Sequence, residues 1–324
     1  MINRKKIIKI LGIAVLVILA LGLIGFITIN TGDLPSYEVE QIDLQVERTP
    51  ERVERGKKLA LMLCANCHKS TETGALTGTR MHDAPPEFGE IHAPNITQDR
   101  THGIGDWTDG ELLYLLRTGV KRDGRYAPPY MAKFPTMADE DLYSLIAFLR
   151  SDDPLVAADP TPDRPSNPFF LTKLLCKVAW KPFPLPNEPI ARPDTSDRLA
   201  LGKYLAHNLD CFSCHSADFK TNNFLVPEQS PGYFGGGNKP LNREGQVVLT
   251  SNLTPDPETG IGKWSEEAFI KAVKYGLKEG APALQYPMTP YTALSDAEAG
   301  AIFHYLKTIP PIVNKVERTV EAGY

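Results

Sequence analysis

The chain has 324 residues, 42% hydrophobic and 23% charged, which is room for about two domains of ~150 residues. This ordinary balance excludes wholesale disorder and a many-span membrane protein. Net charge is −4, but Arg4, Lys5, Lys6 and Lys9 precede the first acid, Asp33, so the chain beyond residue 30 holds 31 basic against 39 acidic side chains. An acidic body argues against nucleic acid as a partner, because phosphate binding needs a positive face.

From Ile10 to Ile29 the chain runs twenty residues without a charge, the length of one bilayer crossing. A cleavable signal would have a shorter apolar region and small residues before the cut. Phe26-Ile27-Thr28-Ile29-Asn30 offers no A-x-A pattern, and no cysteine lies nearby for lipidation. The segment is therefore predicted to be an uncleaved transmembrane helix. Its basic flank predicts a cytoplasmic start and an extracytoplasmic (periplasmic) location for everything after Asn30.

Five cysteines in such a compartment would ordinarily suggest disulfides, but their spacing says otherwise. Four lie in Cys64-Ala65-Asn66-Cys67-His68 and Cys211-Phe212-Ser213-Cys214-His215, two copies of the C-x-x-C-H pattern of c-type haem attachment. Two thiols one helical turn apart can add to the two vinyl groups on a porphyrin edge, and the adjacent histidine then reaches the iron. Two covalently bound haem c groups are expected. A thioredoxin-like pair or half a zinc site is the competing reading, and the second matched copy argues against both.

The repeat extends well beyond these motifs. Gly56, Leu59, Ala60 and Leu63 precede the first, and Gly202, Leu205, Ala206 and Leu209 the second, each set forming one apolar helix face. Asn95-Ile96-Thr97, Gly103-Ile104-Gly105 and Trp107 recur as Asn252-Leu253-Thr254, Gly260-Ile261-Gly262 and Trp264. Met131 and Met288 each lie 24 residues after their tryptophan, and Gly119 and Gly276 each 12 after it, at helix ends. Closing helices are predicted to start at Asp139 and Asp296. The predicted organisation is an anchor over 1–30, a linker over 31–49, domains over 50–152 and 195–312 separated by a Pro-rich segment over 153–194, and a tail over 313–324.

A haem iron held by His68 or His215 needs a sixth ligand, and the repeat selects Met131 and Met288. Met288 is the only methionine after Met137; in the first half Met62, Met81 and Met137 compete. His82, His92, His102, His207 and His304 are unmatched between the copies. A His/Met pair closes both axial positions, which suits an electron carrier better than an enzyme that binds substrate on iron. Asn95, Thr97 and Trp107, with Asn252, Thr254 and Trp264, are candidates to hold haem propionates or pack the ring edge, or else to build a repeated turn around a core tryptophan. The Pro-rich segment contains an amphipathic stretch, Phe169 to Trp180, expected to cover a haem edge or a domain interface, with a membrane-surface or partner contact as the alternative. Cys176 within it is expected to be a buried thiol, and Gly232 to Val248 a short hairpin.

These blocks, spanning most of residues 50 to 312, resemble the cytochrome c subunits of membrane-bound alcohol, aldehyde and gluconate dehydrogenases and related diheme cytochromes c. The resemblance rests on the two C-x-x-C-H motifs, the Asn-Ile/Leu-Thr and Gly-Ile-Gly-x-Trp blocks, the Pro-containing Met segments, and closing helices ending in Leu149-Arg150-Ser151 and Leu306-Lys307-Thr308. It implies an all-α fold of two tandem cytochrome c domains, with His68 and His215 as proximal and Met131 and Met288 as distal ligands. It also implies electron passage from a dehydrogenase donor towards an oxidase or quinone-linked acceptor, without catalysis by this chain. Departures are the two motifs in place of three, proline before rather than after each methionine, and the amino-terminal anchor. A diheme peroxidase or thiosulfate dehydrogenase type of enzyme, with one open haem, is the alternative, and a haem-based sensor a third; the matched methionines argue against the enzyme.

Overall fold

The computed structural model describes residues 4–278, 280 and 282–316; the tail expected from 313 lies outside the described residues from 317 onward. The chain is helical, and the described residues include one sheet, of two short strands. Helix α1 (Arg4–Thr31) is exposed over most of its apolar run, with Gly25 and Ile29 half-buried, and is long and apolar enough to cross a membrane.

The two halves are built alike. Helix α2 (Pro50–Leu63) starts with Thr49 accepting from the Arg52 amide and Pro50 in the first turn, where its missing N–H costs nothing. A short turn of helix, α3 (Ala65–His68), follows at once and carries the first motif. Helix α4 (Asp109–Thr118) opens on a Thr108–Glu111 capping box and stops at Gly119, whose φ of 83° lies in the left-handed region. Helix α5 (Asp139–Leu149) closes the half.

After α6 (Phe170–Val178), the second half repeats the plan with α7 (Arg198–Asn208), α8 (Cys211–His215), α9 (Glu266–Tyr275) and α10 (Asp296–Leu306). Helix α9 ends at Gly276, φ 72°. The helices therefore begin and end where the periodicity predicts.

In each half the first helix crosses the last, α2 on α5 and α7 on α10. Glycine makes the crossing possible: a Cβ on Gly56 would lie 1.8 Å from the Ser144 carbonyl oxygen, and one on Gly202 would lie 1.9 Å from that of Ala301. Around these crossings Leu59, Leu142, Ile146 and Phe148 fill one core, and Leu205, Phe269, Ile302 and Leu306 its counterpart.

The halves meet about a local twofold. Lys58 on α2 pairs with Glu298 on α10, while Tyr204 on α7 donates a 2.7 Å bond to Asp141 on α5. Aligning Gly56 with Gly202 places Lys58 opposite Tyr204, and aligning Asp139 with Asp296 places Asp141 opposite Glu298. The two contacts are one contact repeated. Arg55 bridges them, reaching Asp141 at 3.1 Å and Glu298 at 3.4 Å.

The Pro-rich segment runs as a strap over the first half. The Leu155 and Val156 carbonyls accept from Leu76 and Gln98; β1 (Gly89–Glu90) pairs antiparallel with β2 (Asn167–Pro168); and the Phe183 amide donates to Thr118 O. Cys176 is buried with Phe88, Tyr126 and Trp180, and burial pushes its thiol up to about 11. The hairpin expected over 232–248 narrows to a turn bridged once, Leu241 to Val247. Gly232, Gly236 and Gly237, all at positive φ, break the extended backbone before it.

Candidate haem-binding cavity

Each C-x-x-C-H motif sits on one turn of helix, so both thiols and the histidine project from a single short segment. Depth in the protein pushes the thiols of Cys64, Cys67, Cys211 and Cys214 up to about 12. That is the reverse of the depressed pKa of a thioredoxin-like pair or a thiolate metal site.

The histidines are oriented identically. His68 Nδ1 lies 2.8 Å from the Pro94 carbonyl oxygen and His215 Nδ1 lies 2.8 Å from that of Ser251, an equivalent residue in the repeat. A carbonyl can only accept, so Nδ1 carries the proton and Nε2 keeps its lone pair for a metal. Burial lowers both imidazole pKa values, only partly offset by these bonds, which favours the neutral ligand form.

Both motifs open into one cavity of about 1730 Å³, lined by Cys64, Cys67 and His68, by Cys211, Cys214 and His215, and by Met131 and Met288. This exceeds the roughly 300–1,000 Å³ usual for a single small-molecule site. Open imidazole nitrogens, paired thiols and thioethers on one apolar-walled space fit two covalently held porphyrins.

Among the rival ligands, Met137 is packed in the core and 1% exposed. Met62 and Met81 line the cavity from the motif's own side: Met62 precedes Cys64 on α2, and Met81 follows Thr79, whose hydroxyl and amide bond the Cys67 carbonyl. Met131 comes instead from the loop between α4 and α5. His92 also lines the cavity, on the segment leading to Pro94, with Nδ1 lacking a hydrogen-bond partner among the described residues. His207 is bonded to the Tyr233 hydroxyl and pushed down to about 4 by burial. His82 and His304 are exposed and His102 partly buried.

The Asn and Thr pairs are turn builders. Asn95 Nδ2 donates to the Asp159 and Thr161 carbonyls, and Asn252 Nδ2 to the Ile312 carbonyl and Thr259 Oγ1. Thr97 and Thr254 bond the same two closing segments through their hydroxyls. Both amide protons of each asparagine are engaged, which leaves none for a propionate; of the alternatives open in the sequence, the hydrogen bonds support the turn. Trp264 and Asn252 do line the cavity. Trp107 lies under the Arg122 guanidinium at 5.7 Å.

Sequence reasoning missed two sets of cations. Arg150 donates to the Ile104 and Trp107 carbonyls (2.7 and 2.5 Å), and Lys307 to that of Gly262 (2.6 Å), tying each closing helix to its Gly-Ile-Gly block. Arg117 is buried, pairs with Asp139 and donates to Phe134 and Met137 carbonyls, fixing the loop that follows Met131; Lys274 pairs with Asp296 in the other half. The signal was available, since the spacing that aligns Trp107 with Trp264 also aligns Arg150 with Lys307 and Arg117 with Lys274.

The family model described as cytochrome c matches residues 53–152 and 199–310. The chain is similar to the fructose dehydrogenase cytochrome subunit of Gluconobacter japonicus, 29% identical over 275 residues, covering 80% of this chain and 52% of that protein. It is 30% identical over 273 residues to the gluconate 2-dehydrogenase cytochrome c subunit of Pantoea cypripedii, covering 79% and 59%. A diheme cytochrome c-type protein of Cereibacter sphaeroides is 28% identical over 260 residues, covering 77% and 82%. The chain thus spans only a little over half the length of the two dehydrogenase subunits. Two covalently bound haem c groups and an electron-transfer role follow from the matched domains and the diheme relative. The chain belongs to the cytochrome c family, with one cytochrome c domain in each half.

Proposed function

We propose that this chain is a membrane-anchored diheme cytochrome c that carries single electrons from an extracytoplasmic dehydrogenase to an oxidase or quinone-linked acceptor. In this reading Cys64 and Cys67 hold one haem and Cys211 and Cys214 the other, with His68 and Met131, and His215 and Met288, as axial pairs. Bound haem iron supplies a one-electron couple whose potential a thioether ligand raises. The chain's own part is to fix the imidazoles, exclude water and leave no axial position open, so it is a carrier and not itself a catalyst.

The observation that carries this reading is the matched pair of 2.8 Å contacts from His68 Nδ1 to Pro94 O and from His215 Nδ1 to Ser251 O, with a repeat-matched methionine lining the same cavity in each half. An enzyme of the open-haem type would need one of the two sites to lack its methionine ligand. The donor class is suggested by the relatives named as subunits of fructose and gluconate dehydrogenases. Anchoring is supported by α1, and its basic start favours body domains outside the cytoplasm.

Oxygen uptake by membranes of a strain lacking the protein tests this directly, with a panel of sugars, alcohols and sugar acids as electron donors. Uptake on at least one donor should fall and return with the wild-type chain but not with a variant lacking Cys211 and Cys214. Unchanged uptake on every donor would reject the respiratory role.

A further inference from the structure

Helix α6 and the residues just after it carry side chains in three stripes at intervals of four. Thr172, Cys176 and Trp180 are buried against the first haem domain, where Thr172 Oγ1 donates to Phe88 O at 2.9 Å and Trp180 packs on the Phe88 ring. Phe170, Leu174 and Val178 lie on the opposite side; Phe170 and Leu174 are half-buried, Val178 is 65% exposed and the neighbouring Phe169 49%. Lys173, Lys177 and Lys181 flank this second apolar stripe.

The apolar stripe is not at an arbitrary place. The Phe170 ring packs against the Phe26 ring of α1 with centroids 4.8 Å apart, and Lys173 Nζ donates a 2.7 Å bond to the Asn30 carbonyl at the α1 carboxyl end. Phe26 lies three residues inside the end of the uncharged run at Ile29, roughly 4.5 Å along the helix axis. The start of α6 is therefore held below the level where the apolar run of α1 ends. Lys173 reaches that level through its bond to Asn30 O.

We propose that α6 is an interfacial helix that lies in the lipid surface next to α1, with Phe169, Phe170, Leu174 and Val178 in the acyl boundary and Lys173 and Lys177 at the phosphate level. The occupant of this face is the phospholipid of the membrane that α1 crosses, so the inference rests on the anchoring proposed above. Its consequence is a fixed orientation. Asp33, Leu34 and Ser36 just after α1, and Trp180 and Lys181 just after α6, line the haem cavity, so that cavity opens close to the bilayer.

Spin-label depth measurements on the haem-loaded full chain in phosphatidylcholine/phosphatidylglycerol nanodiscs test it. Nitroxides are placed by Leu21→Cys in mid-span, by Val178→Cys, and by Val313→Cys, a position 81% exposed in the second half. Relaxation by oxygen relative to a soluble nickel chelate should be several-fold greater at 178 than at 313, with 21 higher still. A lipid signature at 21 with 178 matching 313 would overturn the interfacial helix and leave the anchor standing. A water signature at 21 would overturn both. A Phe170→Ala variant, which removes a ring without adding charge, should lower the ratio at 178 while sparing 21; no change at 178 would count against the proposal.

Discussion

Asn66 Nδ2 donates a 2.8 Å hydrogen bond to Thr289 Oγ1, joining the centre of the first Cys-Ala-Asn-Cys-His motif to the residue that follows Met288. A second link, from the Tyr286 hydroxyl to Asp83 at 2.8 Å, runs beside it. The attachment segment of one half thus touches the methionine loop of the other, and the two sites share one cavity. Two haems bound there should be magnetically coupled. The oxidised protein is expected to give broadened low-spin electron paramagnetic resonance signals that sharpen in a variant lacking Cys211 and Cys214. A wild-type spectrum equal to the sum of two independent haems would contradict a shared site.

Met288→Ala should open the second haem to exogenous imidazole and lower its potential, since a thioether ligand raises it. Spectroelectrochemical titration reads both effects, and an unchanged spectrum and potential would remove Met288 from the ligand set.

Asp141 is the anionic centre of the interface between the halves. Burial raises its pKa, but bonds and charge from Arg55, the Tyr204 hydroxyl and Arg192 outweigh it and hold the carboxyl below its ordinary value. A depressed carboxylate stabilises the fold fully above its unfolded pKa of about 3.9, and loses that contribution as pH falls through the lower folded value. Asp141→Asn should cost about 1.5–3 kcal/mol, because it removes a charge-assisted partner from Arg55, which keeps Glu298, and from the half-exposed Arg192. Urea unfolding at neutral pH measures this, and the wild-type advantage should shrink below about pH 4; an advantage independent of pH would argue against the charged role.

Gly56→Ala and Gly202→Ala should each destabilise the protein. Alanine in a helix is favoured over glycine by about 1 kcal/mol, but here its Cβ would lie within 2 Å of a backbone carbonyl on the partner helix. Overpacking of this kind costs about 1–3 kcal/mol, so the net change is a lowered melting temperature and less haem attached per chain. A raised melting temperature in either variant would mean that α2 and α5, or α7 and α10, do not cross at these residues.

The repeat in the sequence carried most of the fold, because each helix there has a complete local signature. Gly119 and Gly276 stop their helices where the apolar period ends, and Thr108 and Ser295 open theirs with capping boxes. The Cys and His positions were legible for the same reason, since one helical turn holds all three groups. Long-range partners were not. That Asn95 spends its amide on Asp159 and Thr161 depends on where the strap after α5 runs, which no local pattern encodes. Spacing pairs Arg150 with Lys307, but the carbonyls of Ile104 and Trp107 that Arg150 reaches are set by the packing of the closing helix, which no local pattern encodes. The stretch containing α6 was visible as amphipathic, but its position at the end of α1 required the Phe26–Phe170 contact.

The most direct test of two closed haem sites is a carbon monoxide difference spectrum of the fully reduced protein, scaled to its covalent haem content. His/Met ligation in both halves predicts no carbon monoxide complex at either haem. Binding at one haem per chain would contradict the matched ligand sets and make this an enzyme or sensor with an open iron.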